Sequence, residues 1–138
     1  EALWLTPSAH ITGGCVSNIF TVQNGNLLTP IAQGEEGEND EPSAVLPGIT
    51  RQAIIELADD LGIRTSKGTV TVDDVLSSDE VFLTNSSWGV LPVIGIRAAV
   101  QNGDGSGTQD QAIGDGVVGT ITKQLHLAYE ACVDRETS

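Results

Sequence analysis

Cations are scarce in this sequence. Six Lys and Arg stand against 19 Asp and Glu, a formal net charge of −13. Nucleic-acid binding draws its affinity from Lys and Arg set against phosphates, so this balance excludes a nucleic-acid partner. Long apolar runs are missing too. The longest, such as Val90 to Ile96, fall far short of the ~20 residues a membrane helix needs. Cysteine is scarce: Cys15 and Cys132 lie far apart, with no CxxC spacing and no clustered histidine. That pattern excludes a zinc site, and buried thiols in a reducing cytosol are the expectation, with one disulfide as the alternative. His10 and His126 are the only histidines, and neither accompanies a serine in a Gly-x-Ser-x-Gly frame, which excludes a hydrolase triad. The glycines at 103, 105 and 107 lack the helix that must follow a dinucleotide loop, and read as linker. No charged segment followed by an apolar one opens the sequence, so no signal peptide is expected. Glu1 runs directly into Ala2-Leu3-Trp4-Leu5, and a chain that begins inside a strand reads as a piece of something longer.

What is present suits one domain. The chain has 138 residues, 39% of them hydrophobic, enough for a single core and too few for two. Leu3 to Leu5 and Ile19 to Val22 read as strands, the second with Ile19 and Thr21 on one face and Phe20 and Val22 on the other. Thr12-Gly13-Gly14 between them reads as a turn or a close-approach segment. Asn24-Gly25 predicts a hairpin into Leu27-Leu28-Thr29. Five acids between Glu35 and Glu41 predict a solvated, mobile loop that ends at Pro42. Ile54, Leu57, Ala58 and Leu61 recur at helical spacing, with Gly62 placed to stop the helix. Further strands are expected around Thr69 to Val72, Glu80 to Thr84 and Val90 to Ile96, with a short helical turn at Val72, Val75 and Leu76. Asn102 to Gly107 reads as a flexible loop. A closing helix from about Thr120 presents Ile121, Leu125, Ala128 and Cys132. Mixed strands with two main helices predict an α/β (α+β) domain over residues 1–138.

Two segments carry chemistry. In Leu46-Pro47-Gly48-Ile49-Thr50-Arg51, glycine allows close backbone approach, and Ile49 and Thr50 open a helix whose first amides lack partners. Free amides at the positive end of a helix make an anion site, typically for phosphate. The plain alternative is a helix capped by Thr50. In Thr84-Asn85-Ser86-Ser87-Trp88-Gly89 a strand ends in small polar residues, where α/β proteins put ligand contacts. The plain alternative there is a polar turn with Trp88 packed on the core.

Taken in order and spacing, these segments resemble the class IV aminotransferase family, the fold-type IV pyridoxal-phosphate enzymes. The resemblance is carried by Ile11-Thr12-Gly13-Gly14-Cys15-Val16-Ser17-Asn18-Ile19-Phe20, by Leu46 to Arg51, by Val81-Phe82-Leu83-Thr84-Asn85-Ser86 with Leu91-Pro92-Val93, and by Ile113-Gly114-Asp115-Gly116 before the closing helix. It spans nearly the whole chain. The wording of the third block looks closest to aminodeoxychorismate lyases and their D-amino-acid-acting relatives.

The resemblance implies the C-terminal domain of the D-amino acid aminotransferase-like fold, a cytoplasmic homodimer in its complete form, and pyridoxal 5′-phosphate as cofactor. It implies that Leu46 packs against the cofactor ring, that Gly48, Ile49 and Thr50 hold the phosphate, and that Ser86, with Asn85 beside it, completes the cup. Amides around Ser86 and Ser87 would meet the carboxylate of an amino-acid-like substrate, and Trp88 would line the pocket. No catalytic residue is expected in this chain. The family's Schiff-base lysine lies in a preceding domain, and Lys67 and Lys123 match no family position, so the chain alone is expected to be inactive. The family usually reads Thr-Glu-Gly where this chain has Thr12-Gly13-Gly14. The missing acid weakens the ring as an electron sink, and restoring Gly13→Glu is expected to strengthen it. A phosphate-binding relative without catalysis is the alternative.

Overall fold

The computed structural model describes residues 3–5, 10–14, 17–38, 42–102 and 105–137. Its centre is a five-stranded sheet. The first strands are β1 (Leu3–Leu5) and β2 (Ile11–Gly14), paired with each other outside that sheet. Then come β3 (Asn18–Gln23), β4 (Asn26–Pro30), helix α1 (Ile49–Asp60), β5 (Thr65–Gly68), the short helix α2 (Val72–Leu76), β6 (Glu80–Asn85) and β7 (Gly89–Val93). The sheet order is β5-β4-β3-β6-β7, antiparallel except where β4 meets β5. A separate hairpin, β8 (Gly95–Asn102) with β9 (Gly105–Ala112), precedes the closing helix α3 (Thr120–Thr137). A mixed sheet flanked by two main helices is the α/β arrangement the sequence predicts.

Both faces of the sheet are covered. Phe20, Val22, Phe82 and Val90 pack with Ile54 and Ala58 of α1 and Leu125 of α3. Phe20 and Phe82 are register partners and stack with ring centroids 5.0 Å apart. On the opposite face Ile19, Val81 and Leu83 pack with Ile11, Val70, Val75 and Ile113. The period-two alternation of β3 therefore separates two apolar faces rather than core from solvent. That alternation decides the site: Asn18, two residues before Phe20, lies on the helix-covered face, and its register partner Thr84 lies there too.

Local signals hold where they are strongest. Gln23 pairs with Asn26, and Asn24 and Gly25 take φ values of 53 and 78, the two-residue turn that an Asn-Gly pair favours. Gly62, φ 75, follows α1, with its amide on the Asp59 carbonyl and the Ile63 amide on the Ala58 carbonyl, a Schellman end.

Several expectations are corrected. The strand expected at Thr69 to Val72 lies four residues earlier as β5, because Leu27 to Pro30 offer a parallel edge to Thr65 to Gly68. Thr71 instead caps α2 in a reciprocal pair with Asp74. Thr12 to Gly14 are strand rather than turn, and the alternative, a close approach, is found at Gly13 against the Ser17 carbonyl. The run Val90 to Ile96 is divided at Ile94 between β7 and β8. The supposed flexible segment is a hairpin: Asn102 pairs with Gly105, Gln101 with Ser106 and Val100 with Gly107, and Gly103 and Asp104 lie outside the described residues.

The acidic loop is not freely mobile at its start. Glu35 receives Arg51 Nη2 at 2.7 Å, Arg51 Nη1 at 3.1 Å, Lys67 Nζ at 2.8 Å and the Ala32 amide at 2.9 Å. The hydrogen bonds from Arg51, and then that from Lys67, hold its carboxyl down at about 2. Glu36 accepts from the Ser43 and Gly34 amides, and the Ser43 amide in particular lowers its pKa. Residues 39–41 of the run, and Cys15, lie outside the described residues, and Cys132 is half-buried on α3. Among the described residues no helix is long and apolar enough to cross a membrane.

Candidate functional site

The site is built around the start of α1. Gly48 is its N-cap, with φ −60 and ψ 147 and no side-chain cap, and the first turn carries no acid. Thr50 is therefore not the cap; it lies inside the helix and is 3% exposed. Uncapped, the first amides of α1 have no partner within the helix and stand at its positive end.

Asn18 sets that geometry. Its Nδ2 donates to the Leu46 carbonyl at 2.8 Å, tying down the loop that enters the helix. A Cβ on residue 48 would run into Asn18 Oδ1, so a side chain there would have to push the Asn18 amide off the Leu46 carbonyl. The same turn leaves Leu46 and Ile49 68% and 86% exposed beside the opening.

The opposing wall is the end of β6. Thr84, Asn85 and Ser86 meet Leu46, Gly48, Ile49 and Thr50 across a cleft of about 620 Å³, completed by Trp4, Thr12, Gly14, Ser17, Asn18, Ala44 and Val45. The structure thus brings together two segments that the sequence separates by more than thirty residues. None of these lining residues is charged. In a chain of net charge −13, the helix end and the amide and hydroxyl donors supply the local attraction for an anion.

Ser87 and Trp88 are not among the lining residues. Asn85 Oδ1 accepts from the Ser87 amide at 3.0 Å and the Trp88 amide at 2.9 Å, folding the turn back on itself. Trp88 packs against the Ile19–Val81 cluster, the plainer of the two readings of that turn. Arg51 also turns away: it is 1% exposed and bound to Glu35 and the Pro30 carbonyl, behind the helix end rather than in the cleft. Lys67 is engaged with Glu35, and neither Lys67 nor Lys123 lines the cleft.

Gly13 overturns the expectation that an acid is simply restored there. Its φ is +150, and a Cβ would approach the Ser17 carbonyl oxygen to 2.5 Å. Its strand neighbours Thr12 and Gly14 line the cleft and Gly13 does not, as alternation along a strand requires. In this backbone a side chain at position 13 is strained and aimed away from the cleft.

Sequence reasoning gave no role to Asn18, Thr84 or Tyr129. The first two stood in the family-like blocks, and the face alternation of β3 and β6 was the signal that could have singled them out. Thr84 is wholly buried, and its Oγ1 has no hydrogen-bond partner although the residue lines the cleft. Tyr129 comes from α3, with its hydroxyl 3.4 Å from Thr50 Oγ1, and no local pattern announces it. Uncapped amides, a glycine where a Cβ would collide with Asn18 and an unpartnered buried hydroxyl fit the phosphate of a cofactor such as pyridoxal phosphate.

Fold and cleft together define an α/β domain in which an uncapped helix start opens on a cleft lined by uncharged residues. The chain belongs to the class IV aminotransferase family: the family model Amino-transferase class IV matches residues 1–96. The branched-chain-amino-acid aminotransferase of Escherichia coli K12 is 31% identical over 137 residues, 99% of this chain and 38% of that protein. The D-alanine aminotransferase of Bacillus licheniformis is 30% identical over 129 residues, 93% of this chain and 38% of that protein. Among solved structures, the Escherichia coli branched-chain aminotransferase superposes with a TM-score of 0.74 at 29% identity, covering 94% of this chain and 36% of that one. The T.th. branched-chain amino acid aminotransferase complexed with N-(5′-phosphopyridoxyl)-L-glutamate gives 0.72 at 28%, with the same coverage of 94% and 36%. The chain spans under two-fifths of the length of these relatives.

Proposed function

We propose that this chain is the C-terminal, phosphate-holding part of a pyridoxal-phosphate-dependent aminotransferase acting on an amino acid. The observation that carries the reading is the uncapped start of α1, held open by Asn18 against Gly48 and facing Thr84 and Ser86. In this proposal the amides of Ile49 and Thr50 and the Thr50 hydroxyl hold the phosphate. Ser86 closes the cup beside Asn85, and exposed Leu46 rests on the ring. Ser86 at the start of the turn meets the substrate carboxylate, and Asn85 holds the Ser87 and Trp88 amides behind it. The cofactor, when bound, supplies the electron-withdrawing ring through which an amino group passes from one carbon skeleton to another. Amides fixed by the fold need no reorganisation when an anion arrives, so they hold it in one orientation.

The lysine that carries the cofactor is assigned to a part of the protein outside these residues, because neither Lys67 nor Lys123 lines the cleft. Residues 1–138 alone are therefore inactive. Trp4 and Leu5, both more than half exposed, and the exposed Leu46 and Ile49 suit burial against that part or in a homodimer of the complete enzyme. The relatives include both branched-chain and D-alanine aminotransferases. Transaminase is thus the reading we adopt, with an aminodeoxychorismate lyase-like reaction the competing outcome of a product analysis.

The test is borohydride reduction of the complete protein with pyridoxal phosphate, followed by peptide mass analysis and turnover assays on both the complete protein and residues 1–138. A reduced adduct on a lysine outside residues 1–138, and turnover by the complete protein alone, is the expected result. An adduct on Lys67 or Lys123, or turnover by residues 1–138, overturns the proposal. Gly13 favours a second reading, a relative that binds the phosphate without catalysis. Retained cofactor binding with no turnover by the complete protein decides for it.

A further inference from the structure

We infer that Tyr129, two turns into the closing helix, is a positioning residue that directs the Thr50 hydroxyl into the cleft. The inference rests on the reading of the cleft as a phosphate site. Thr50 Oγ1 lies 3.4 Å from the Tyr129 hydroxyl, and Thr50 is a residue of the cleft wall. A phenol is a better donor than an aliphatic alcohol, and a hydroxyl has a single proton to give. When Tyr129 donates to Thr50 Oγ1, the Thr50 proton is left to point elsewhere, and the open direction is the cleft. Chained hydroxyls also polarise one another, which makes the terminal donor stronger toward an anion.

The fold holds Tyr129 in this place from both ends. At its start, α3 is tied to the central sheet: Glu80 of β6 accepts the Thr122 amide at 2.7 Å and the Ile121 amide at 3.2 Å. Further along, the Tyr129 ring packs on the cluster that includes Phe82 and Leu125. The ring also lies across Gly89, where φ is +71 and a Cβ would come within 2.8 Å of Tyr129 Cε1. Glycine at the start of β7 is thus what lets the phenol pass over the turn and reach α1. The closing helix becomes part of the anion cradle although none of its described side chains lines the cleft.

The experiment titrates the complete protein with pyridoxal phosphate and, separately, with pyridoxal, which lacks the phosphate. The variants are Tyr129→Phe, Thr50→Val and the double substitution, and each is also melted without ligand. Tyr129→Phe is expected to weaken pyridoxal phosphate binding about fivefold, the effect of one net hydrogen bond. It is expected to leave pyridoxal binding and the melting temperature unchanged. Thr50→Val weakens pyridoxal phosphate binding further, and adding Tyr129→Phe to it changes nothing more. If Thr50→Val weakens binding and Tyr129→Phe does not, the inference falls and the proposed function stands. If Tyr129→Phe weakens both ligands equally or lowers the melting temperature, the residue is only structural and the inference falls as well. If Thr50→Val leaves pyridoxal phosphate binding intact, the phosphate reading itself fails, and the inference with it.

Discussion

Glu35→Gln is the most informative single perturbation of the fold. Arg51 is 1% exposed and the Glu35 side chain 21%, so the pair is largely withdrawn from water. The Glu35 carboxyl, ordinarily near 4.5, is held at about 2, mainly by the hydrogen bonds from Arg51. At about 1.4 kcal/mol per pKa unit, that difference is worth at most about 3.5 kcal/mol, and partial exposure trims it toward 2. The folded-state value is depressed, so this stability is fully present above pH 4.5 and drains away as pH falls from there toward 2. Glutamine keeps one acceptor for Arg51 but removes the charge, leaving a buried guanidinium with only the Pro30 carbonyl and a neutral partner. Urea denaturation of the protein, followed by the fluorescence of Trp4 and Trp88, is expected to show a loss of roughly 2–3 kcal/mol at pH 7. The variant is also expected to show a flatter decline than the parent between pH 4.5 and 2.5, the window set by Glu35. A variant within about 0.5 kcal/mol of the parent at pH 7, the scatter expected of an ordinary surface change, would refute the reasoning, and so would an unchanged acid slope.

Other outcomes follow from single contacts. Gly48→Ala drives a Cβ into Asn18 Oδ1; titration should show pyridoxal phosphate binding weakened by roughly tenfold or more, because the first amides of α1 are displaced. Thr84→Val removes a buried hydroxyl that has no partner; melting should show a neutral or stabilising effect, while pyridoxal phosphate affinity drops if that hydroxyl serves the anion. Glu80→Ala strips the Ile121 and Thr122 amides of their acceptor, and chemical denaturation should report a loss of about 1–2 kcal/mol. Gly13→Glu is expected to lower the melting temperature rather than repair the site, since φ +150 and the Ser17 carbonyl oppose any side chain there; a variant as stable as the parent would show that the β2 backbone adapts.

Much of the site was legible because its signals are short. Gly48 before an apolar-periodic helix, the polar residues after β6, and their order along the chain point to the class IV aminotransferase family and to the two segments that meet across the cleft. What the sequence alone misjudged lay where neighbours in space decide. Thr65 to Gly68 carry little strand character of their own, and they are strand because the edge of β4 is there to pair with. Asn102 and Gly105 to Gly107 looked like linker by composition, yet backbone pairing across β8 and β9 makes them strand. The acids after Gly34 looked like a solvated run, but Glu35 has two cations within reach from α1 and β5.

By itself, then, the sequence determined what depends on a few adjacent residues. It set the Asn24-Gly25 turn through two positive φ angles, the end of α1 at Gly62, the apolar period of α1, and the residue types able to meet an anion. Only the tertiary structure decided which groups face the cleft. Arg51 stands next to Thr50 in sequence, yet a helix turns successive side chains by about 100°, so one is drawn to Glu35 and the other meets the cleft and Tyr129. Asn18 and Thr84 come together as register partners in adjacent strands, and Thr50 and Tyr129 across the packing of two helices on one sheet face. Those distances are set by strand register and helix packing, which the core of Phe20, Phe82, Ile54 and Leu125 fixes and no local run of residues encodes.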